Sequence, residues 1–377
     1  MSFFARTKKR ENYALVYNFS SGAVTAALIK ITKETGVNVL LYAKEALAFQ
    51  LDFKTDQYLS NLGKAISSVT NIIHQDGVKQ INLSQTDLIK IDTIYYIFST
   101  PWSHTETHTI KVKENKAIKL SPSFFTNLVK KEIKNTDNQH QLIENHITQI
   151  KVNGYTLDVP PKNLLAKEAE ITVLTSYVEI KIIELINQAI NKVFIVEQQI
   201  YHSNILAEYS TLRDLFSNQT DYLNLNITEE ITELTLIKEG NLHSQATFPI
   251  GRNTLVRDLA NQTKSLPAVA DSLIQLAGQS AHNLFAGLST KVALDLSLTN
   301  WQAQFTEIIN HLSASTFLPQ NIFLLSYGDL SDIIANKLKQ AHYSVTVLNP
   351  KRIISQYKID DIAFKIVLVF LDKIYKI

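Results

Sequence analysis

YALVYNFSSGAVTAALIK (residues 13–30) and DYLNLNITEEITELTLIK (residues 221–238) decide how this chain is read. Each begins with an apolar run, breaks at a short polar turn and resumes as a second apolar run, the pattern of a β-hairpin. The two superpose at a constant offset of 208 positions (226 minus 18). Asn18, Phe19 and Ser20 fall on Asn226, Ile227 and Thr228, and Leu28, Ile29 and Lys30 fall on Leu236, Ile237 and Lys238. The repetition predicts two lobes of similar build, each opening with strand, turn and strand. Two such turns facing each other across a cleft suit a clamp on a nucleoside triphosphate.

Working outward, Val37–Ala43 reads as a third strand, and Tyr58–His74 as a helix with Leu59, Leu62, Ile66, Val69 and Ile73 on one face. Asp92–Ser99 is a further strand, stopped by Pro101. From Ser103 to about Lys167 the texture changes to a small β-α-β insert. Thr107–Lys113 alternates as a strand, Ser121-Pro122 supplies an N-cap and first-turn proline, and Glu144–Val152 closes at Asn153-Gly154. Ile171–Thr175 is expected to resume the parent domain, with Ser176 and Glu179 forming a capping box for a helix through Ile195. Thr254–Ser313 reads as helical, followed by strand Ile322–Leu325, helix Leu330–Gln340, strand Ser344–Leu348 and helix Asp361–Tyr375. The last helix is apolar on nearly every side and is expected in the core. Strands and helices mixed in this way make an α/β protein. The expected divisions are 11–102 and 169–216 for the first lobe, 103–168 for the insert and 217–377 for the second lobe.

With 377 residues, 45% of them hydrophobic and 19% charged, the chain can bury a large core and has no signature of disorder. The absence of cysteine excludes disulfides and thiolate metal sites and fits a reducing cytoplasm. A net charge of +2 supplies no general field for nucleic acid. The basic start (Arg6, Lys8, Lys9 and Arg10) precedes no apolar run, and the stretch Ile366–Leu371 is too short to span a bilayer.

The hairpins resemble the two phosphate motifs of the actin and heat-shock-chaperone superfamily, most of all those of the FtsA/PilM type. In that family each turn runs aspartate, apolar residue, glycine, then a small or hydroxyl residue. The second continues to a threonine and an acidic residue, matched here by Thr232 and Glu233. Phe248-Pro249-Ile250-Gly251 falls on the family's proline-x-glycine step, and Ser326-Tyr327-Gly328-Asp329 on its glycine-rich adenosine motif. The insert after Trp102 occupies the place of the 1C (SHS2-type) subdomain. The resemblance spans nearly the whole chain and implies a two-lobed actin-like (ribonuclease H-like) fold. It places a vestigial nucleotide site at Asn18, Ser20, Ser21, Gly22, Asn226, Thr228, Thr232, Glu233, Gly251 and Gly328.

The departures from that pattern remove chemistry. Asn18 and Asn226 replace both aspartates, and a neutral amide is a poor magnesium ligand. An amide also takes no proton from an attacking water, a contribution of about 10²–10⁴ in rate. Ser20 and Thr228 put side chains where glycine lets backbone amides approach phosphate. The expectation is a scaffold without ATP or magnesium chemistry. It would join a cytoplasmic assembly, for a type IV pilus or for cell division, to the tail of an inner-membrane partner. Such a protein would meet the membrane through that partner, with self-association as a further contact. A working, filament-forming ATPase is the alternative, and a sugar-kinase relative a distant third.

Other features carry less. Glu229, Glu230 and Glu233 read as a solvated acidic turn and strand edge. His104, Glu106 and His108 share one strand face but lack the helical spacing of a zinc protease. Trp102 reads as a packing anchor. Ser326 has no nucleophile-elbow glycines, and the chain carries no Walker or dinucleotide motif.

Overall fold

The computed structural model describes residues 12–32, 34–80, 89–133, 138–157, 159–279, 288–314, 316–349 and 356–376. The basic start lies outside them.

The first sheet is built from β1 (Asn12–Phe19), β2 (Ala23–Thr32), β3 (Gly36–Ala46), β4 (Ile89–Phe98) and β9 (Phe194–Ser203), in the order β3-β2-β1-β4-β9. The second uses β10 (Tyr222–Ile227), β11 (Thr232–Lys238), β12 (Asn241–Phe248), β13 (Asn321–Leu325) and β14 (Ser344–Val347), in the order β12-β11-β10-β13-β14. The two orders are the same when strands are counted from the start of each lobe. β1 runs antiparallel to β2 and parallel to β4, and β10 relates to β11 and β13 in the same two ways. The repeat read from sequence is therefore a repeat in register. Asn18 pairs across to Thr25 and Ile97, and Asn226 to Glu233 and Leu325.

The central strands are apolar on both faces because helices cover both. On one face of the first sheet lie α1 (Thr55–Gln80) and α3 (Ile180–Ile190), burying Leu62, Ile66, Val69 and Ile73 with Ile182 and Ile186. In the second lobe α5 (Arg252–Thr263), α6 (Pro267–Gln279), α7 (Leu288–Ser313) and α8 (Gly328–Gln340) form the corresponding cover, around Trp301 and Phe305. Between the lobes sit α4 (Asn204–Leu215) and the last helix, α9 (Ile362–Lys376). The expectation for α9 holds. Phe364, Ile366, Val367, Leu368, Phe370 and Leu371 are buried in a cluster shared by β1, β2, α4, β10 and β13, so one apolar core fastens both lobes.

The insert is a third sheet of β5 (Ser103–Leu120), β6 (His140–Val152), β7 (Tyr155–Leu157) and β8 (Leu164–Glu179), in the order β5-β8-β6-β7, with α2 (Pro122–Glu132) on one face. Ser121 caps α2 as read, its hydroxyl accepting from the Phe124 amide at 3.2 Å. The Ser176–Glu179 capping box does not form. Ile171–Thr175, expected to resume the parent domain, continues the insert strand β8, which is buried throughout Val173–Ser176 and runs on to Glu179, so α3 starts without a side-chain cap. The Ser176 hydroxyl instead meets Thr105 Oγ1 at 3.0 Å inside the sheet. That helix was also expected to reach Ile195. It stops at Ile190, and the residues beyond become β9. The outer strand β5 lies beside β12 of the second lobe, where Thr107 donates to the His243 carbonyl at 3.1 Å and Gln245 donates to that of Thr105.

Among the described residues no helix is long and apolar enough to cross a membrane.

Candidate functional site

Each hairpin turn ends beside the other, at the mouth of the cleft between the lobes. In the first, Ser20 folds its hydroxyl over its own turn. It accepts from the Ala23 amide at 3.1 Å and the Gly22 amide at 3.4 Å, while the Ser20 amide donates to the Ala23 carbonyl at 3.0 Å. In the second, the Thr228 amide donates to the Ile231 carbonyl at 2.9 Å. The turns are joined directly. Ser21 donates from its hydroxyl to Thr228 Oγ1 at 2.8 Å and accepts from the Glu230 amide at 2.9 Å. The amides of Ser20, Gly22, Ala23, Thr228 and Glu230 thus already have acceptors within the protein, and an anion that takes any of them must break those bonds.

Glu229 completes the closure. Its side chain is wedged against Gly22, where an added Cβ would lie 2.0 Å from Glu229 Cγ, and its backbone lies against Gly251, where a Cβ would lie 2.5 Å from the Glu229 carbonyl carbon. The start of α5 reinforces this, with the Arg252 and Asn253 amides donating to the Thr228 and Glu229 carbonyls at 3.0 and 2.7 Å. Burial raises the Glu229 carboxyl above the ordinary range, while its own backbone amide and the Lys44 charge pull it down. Two predictions follow from the two glycines. G22A should cost about 1–3 kcal/mol, and E229A in the same chain should recover only part of it, because Cγ and Cδ leave while the Glu229 Cβ, 2.4 Å from the added methyl, stays. G251A should not be rescued in this way, because its obstacle is backbone; urea denaturation of the variants checks both.

The expectation that Glu229, Glu230 and Glu233 form a solvated turn is corrected by their surroundings. Glu230 is ion-paired with Arg257 and accepts from Asn253 at 2.9 Å. Glu233 is 3% exposed and accepts from the Thr100 amide of the first lobe at 3.0 Å. Asn226 Nδ2 stands between Glu233, at 3.4 Å, and Glu208 of α4, at 2.7 Å. Glu208 also accepts from Asn204 at 2.7 Å and Asn224 at 2.6 Å. Burial, together with the Glu233 charge, pushes Glu208 up to about 8, and burial raises Glu233 too. Two interior carboxyls sharing one amide do not both ionise cheaply.

A raised carboxyl keeps its proton in the folded state after the unfolded chain has lost it. Its contribution to stability is therefore complete below about pH 4.5 and fades as pH climbs towards about 8. E208Q should flatten that slope, since the Asn224 amide, whose Oδ1 has no partner, can rotate to accept from the new one. Urea denaturation at about pH 5, 6.5 and 8 reads the difference.

The remaining expected site residues are distributed around the cleft. Asn18, Ser20, Asn226, Thr228 and Gly328 line a cavity of about 540 Å³ on one side of Glu229. Gly22 lines a second hollow of about 500 Å³ on its other side, with Arg252, Asp271 and Asp329. Thr232 belongs to the interior, donating to the Ile250 carbonyl at 2.6 Å and accepting from Trp301 Nε1 at 3.0 Å. Glu208, Lys44 and Asp361 escaped the sequence reading. Trp102 is the anchor expected of it, 4% exposed and stacked on Tyr58 at 4.7 Å. Glu106 lies 2.7 Å from His104 and 3.2 Å from His108, all on the surface of β5. Among the described residues no group of three or more His, Cys, Asp or Glu side chains is arranged to hold a metal ion.

A doubled sheet whose hairpin turns meet across a cleft belongs to the actin-like ATPase class of folds, and this chain has that fold. Among solved structures it is similar to a chain of the PilM–PilN type IV pilus biogenesis complex, with a TM-score of 0.62, 11% identity, and 97% of this chain and 98% of that one covered. It is also similar to a chain of the MamK double helical filament (TM-score 0.48, 11% identity, 97% and 99% covered). A protein of Bacteroides thetaiotaomicron with an actin-like ATPase fold and unknown function gives a TM-score of 0.41 at 12% identity, with 98% and 99% covered. No protein-family model and no curated protein sequence matches the chain. At these identities the likeness is one of fold.

Proposed function

We propose that this chain is a degenerate actin-like scaffold that joins a cytoplasmic assembly to the tail of an inner-membrane protein, without ATP or magnesium chemistry. The observation that carries the first half is the Ser21–Thr228 hydrogen bond, which sets the two turns against each other where a triphosphate would hold them apart. Asn226, bound to two interior carboxylates, is committed to packing rather than to a metal.

The second half rests on the likeness to a chain of the PilM–PilN complex, which favours a pilus assembly over the division machinery. We place the docking surface between the insert and the first lobe. There the connection from β3 to α1 exposes Phe49, Leu51 and Phe53, and the Phe53 ring lies 5.0 Å from Tyr58, which stacks on Trp102 at the insert's root. Exposed apolar side chains at a subdomain junction suit an extended peptide or short helix. The test is binding between the purified protein and peptides of the cytoplasmic tails of pilus and division membrane proteins from the same genome. One tail should bind, and L51E should abolish its binding while leaving the fold intact. No binding to any tail would remove the adaptor reading.

A further inference from the structure

The 540 Å³ cavity has the opposite charge from a phosphate site. Its lining includes Glu229, Asp332, Asp360 and Asp361 and a single cation, Lys44, whose ammonium group is bound to Asp361 at 2.7 Å. With that pair neutralised, Glu229 remains inside and Asp332 and Asp360 stand exposed at the rim. Acidic residues alone do not make a site, but a second observation points the same way. Asn18, a residue of the cavity lining, is 4% exposed, and its Oδ1 has no hydrogen-bond partner. Glu229 Oε2 is likewise buried without one. Buried acceptors of this kind are normally satisfied, so two on the wall of one cavity mark a place for a donor. The rest of the wall combines apolar side chains, from Ile227, Leu325, Val347, Leu348 and Ile362, with hydroxyls such as those of Ser20, Thr25, Ser326 and Ser331. The volume lies in the range of small-molecule sites.

We propose that this cavity binds a ligand with an apolar stem and a cationic head, an alkylammonium or guanidinium group, with Glu229 and Asn18 accepting from the head. Such a group is carried by a free amine or by a lysine or arginine side chain of a docked peptide. The chemistry is one, and the inference stands independently of the adaptor reading. Lys44 keeps its place beside Asp361, and Asp332 and Asp360 draw the cation inward.

Calorimetric titration of the whole chain with n-butylammonium, agmatine and the acetylated methylamides of lysine and arginine tests it, with n-butanol as the neutral control. The expected result is saturable binding of at least one cationic probe and none of n-butanol. Tighter binding of the amino-acid amides than of the free amines would assign the cavity to a peptide side chain, and the reverse to a free amine. E229Q keeps the shape and removes the charge, and it should weaken binding at least tenfold. D332N, at the rim, should weaken it about fivefold or less, with loss of salt dependence. Unchanged thermal unfolding of both variants shows that the fold is intact. No binding by any cationic probe, or equal binding by E229Q, would overturn the proposal.

Discussion

Placing an aspartate at position 226 is expected to destabilise the protein by about 3–5 kcal/mol at neutral pH and to bring no ATP hydrolysis. Asn226 donates to both Glu208 and Glu233. N226D removes that donor and sets a third carboxyl among two whose pKa values are already raised. The new group either ionises beside two others or takes up a proton. In both cases the folded state binds protons more tightly than the unfolded one, so the deficit should shrink as pH falls towards about 4. Urea denaturation of N226D at about pH 5 and 8 checks the sign. An N226D protein of wild-type stability that gains magnesium-dependent ATPase activity would show that this position still belongs to a metal site.

W102A should cost about as much, about 3–5 kcal/mol, and should also loosen the first turn. The indole lies in the core of the first lobe, stacks on Tyr58, and donates from Nε1 to the Ser20 carbonyl at 2.7 Å. Tyr58 in turn donates to the Ser21 carbonyl. Trp102 and Tyr58 thus hold two successive carbonyls of the turn and aim the Ser21 hydroxyl at Thr228. Truncating the indole removes a large buried surface and one of those two holds. W102F, which keeps one aromatic ring against Tyr58 but loses the Nε1 donor and the second ring of the indole, should cost less than W102A, about 2 kcal/mol. Faster amide exchange at Gly22 and Glu230 in both variants would report the loosened turn.

Much of this architecture was legible in the residues. The offset between the hairpins identified two lobes because both turns sit at the end of a buried central strand, where apolar residues on both faces leave a clear block. Ser121-Pro122 and Asn153-Gly154 punctuate the insert as local chemistry demands. The failures are equally local in cause. α4 is buried from Asn204 to Leu212 and lies between two lobes, so it has no solvent face and no helical period to detect. Its Glu208, enclosed by three asparagines from α4 and β10, was invisible for the same reason. β9 carries Glu197, Gln198 and Gln199, polar residues admitted by its place at the edge of the sheet, and these mask its alternation. Ser176 and Glu179 have the spacing of a capping box, but the buried block Val173–Ser176 belongs to β8 and outweighs it.

At the site, the exchanged residues were plain and their use was not. Asn18 and Asn226 read as lost aspartates. The structure makes Asn226 a donor to two interior carboxylates and leaves Asn18 with a free acceptor on a cavity wall. Glu229 read as solvated because a carboxylate on a turn usually is. Its neighbours Gly22 and Gly251 come from separate parts of the chain, and only folding brings them to either side of it.

Titration calorimetry with magnesium and ATP measures the closure of the cleft most directly. With the turn amides satisfied and Glu229 between the two glycines, the account predicts no binding heat up to about 1 mM nucleotide. A magnesium-dependent isotherm in the micromolar range, lost in a chain carrying T228V, would contradict it.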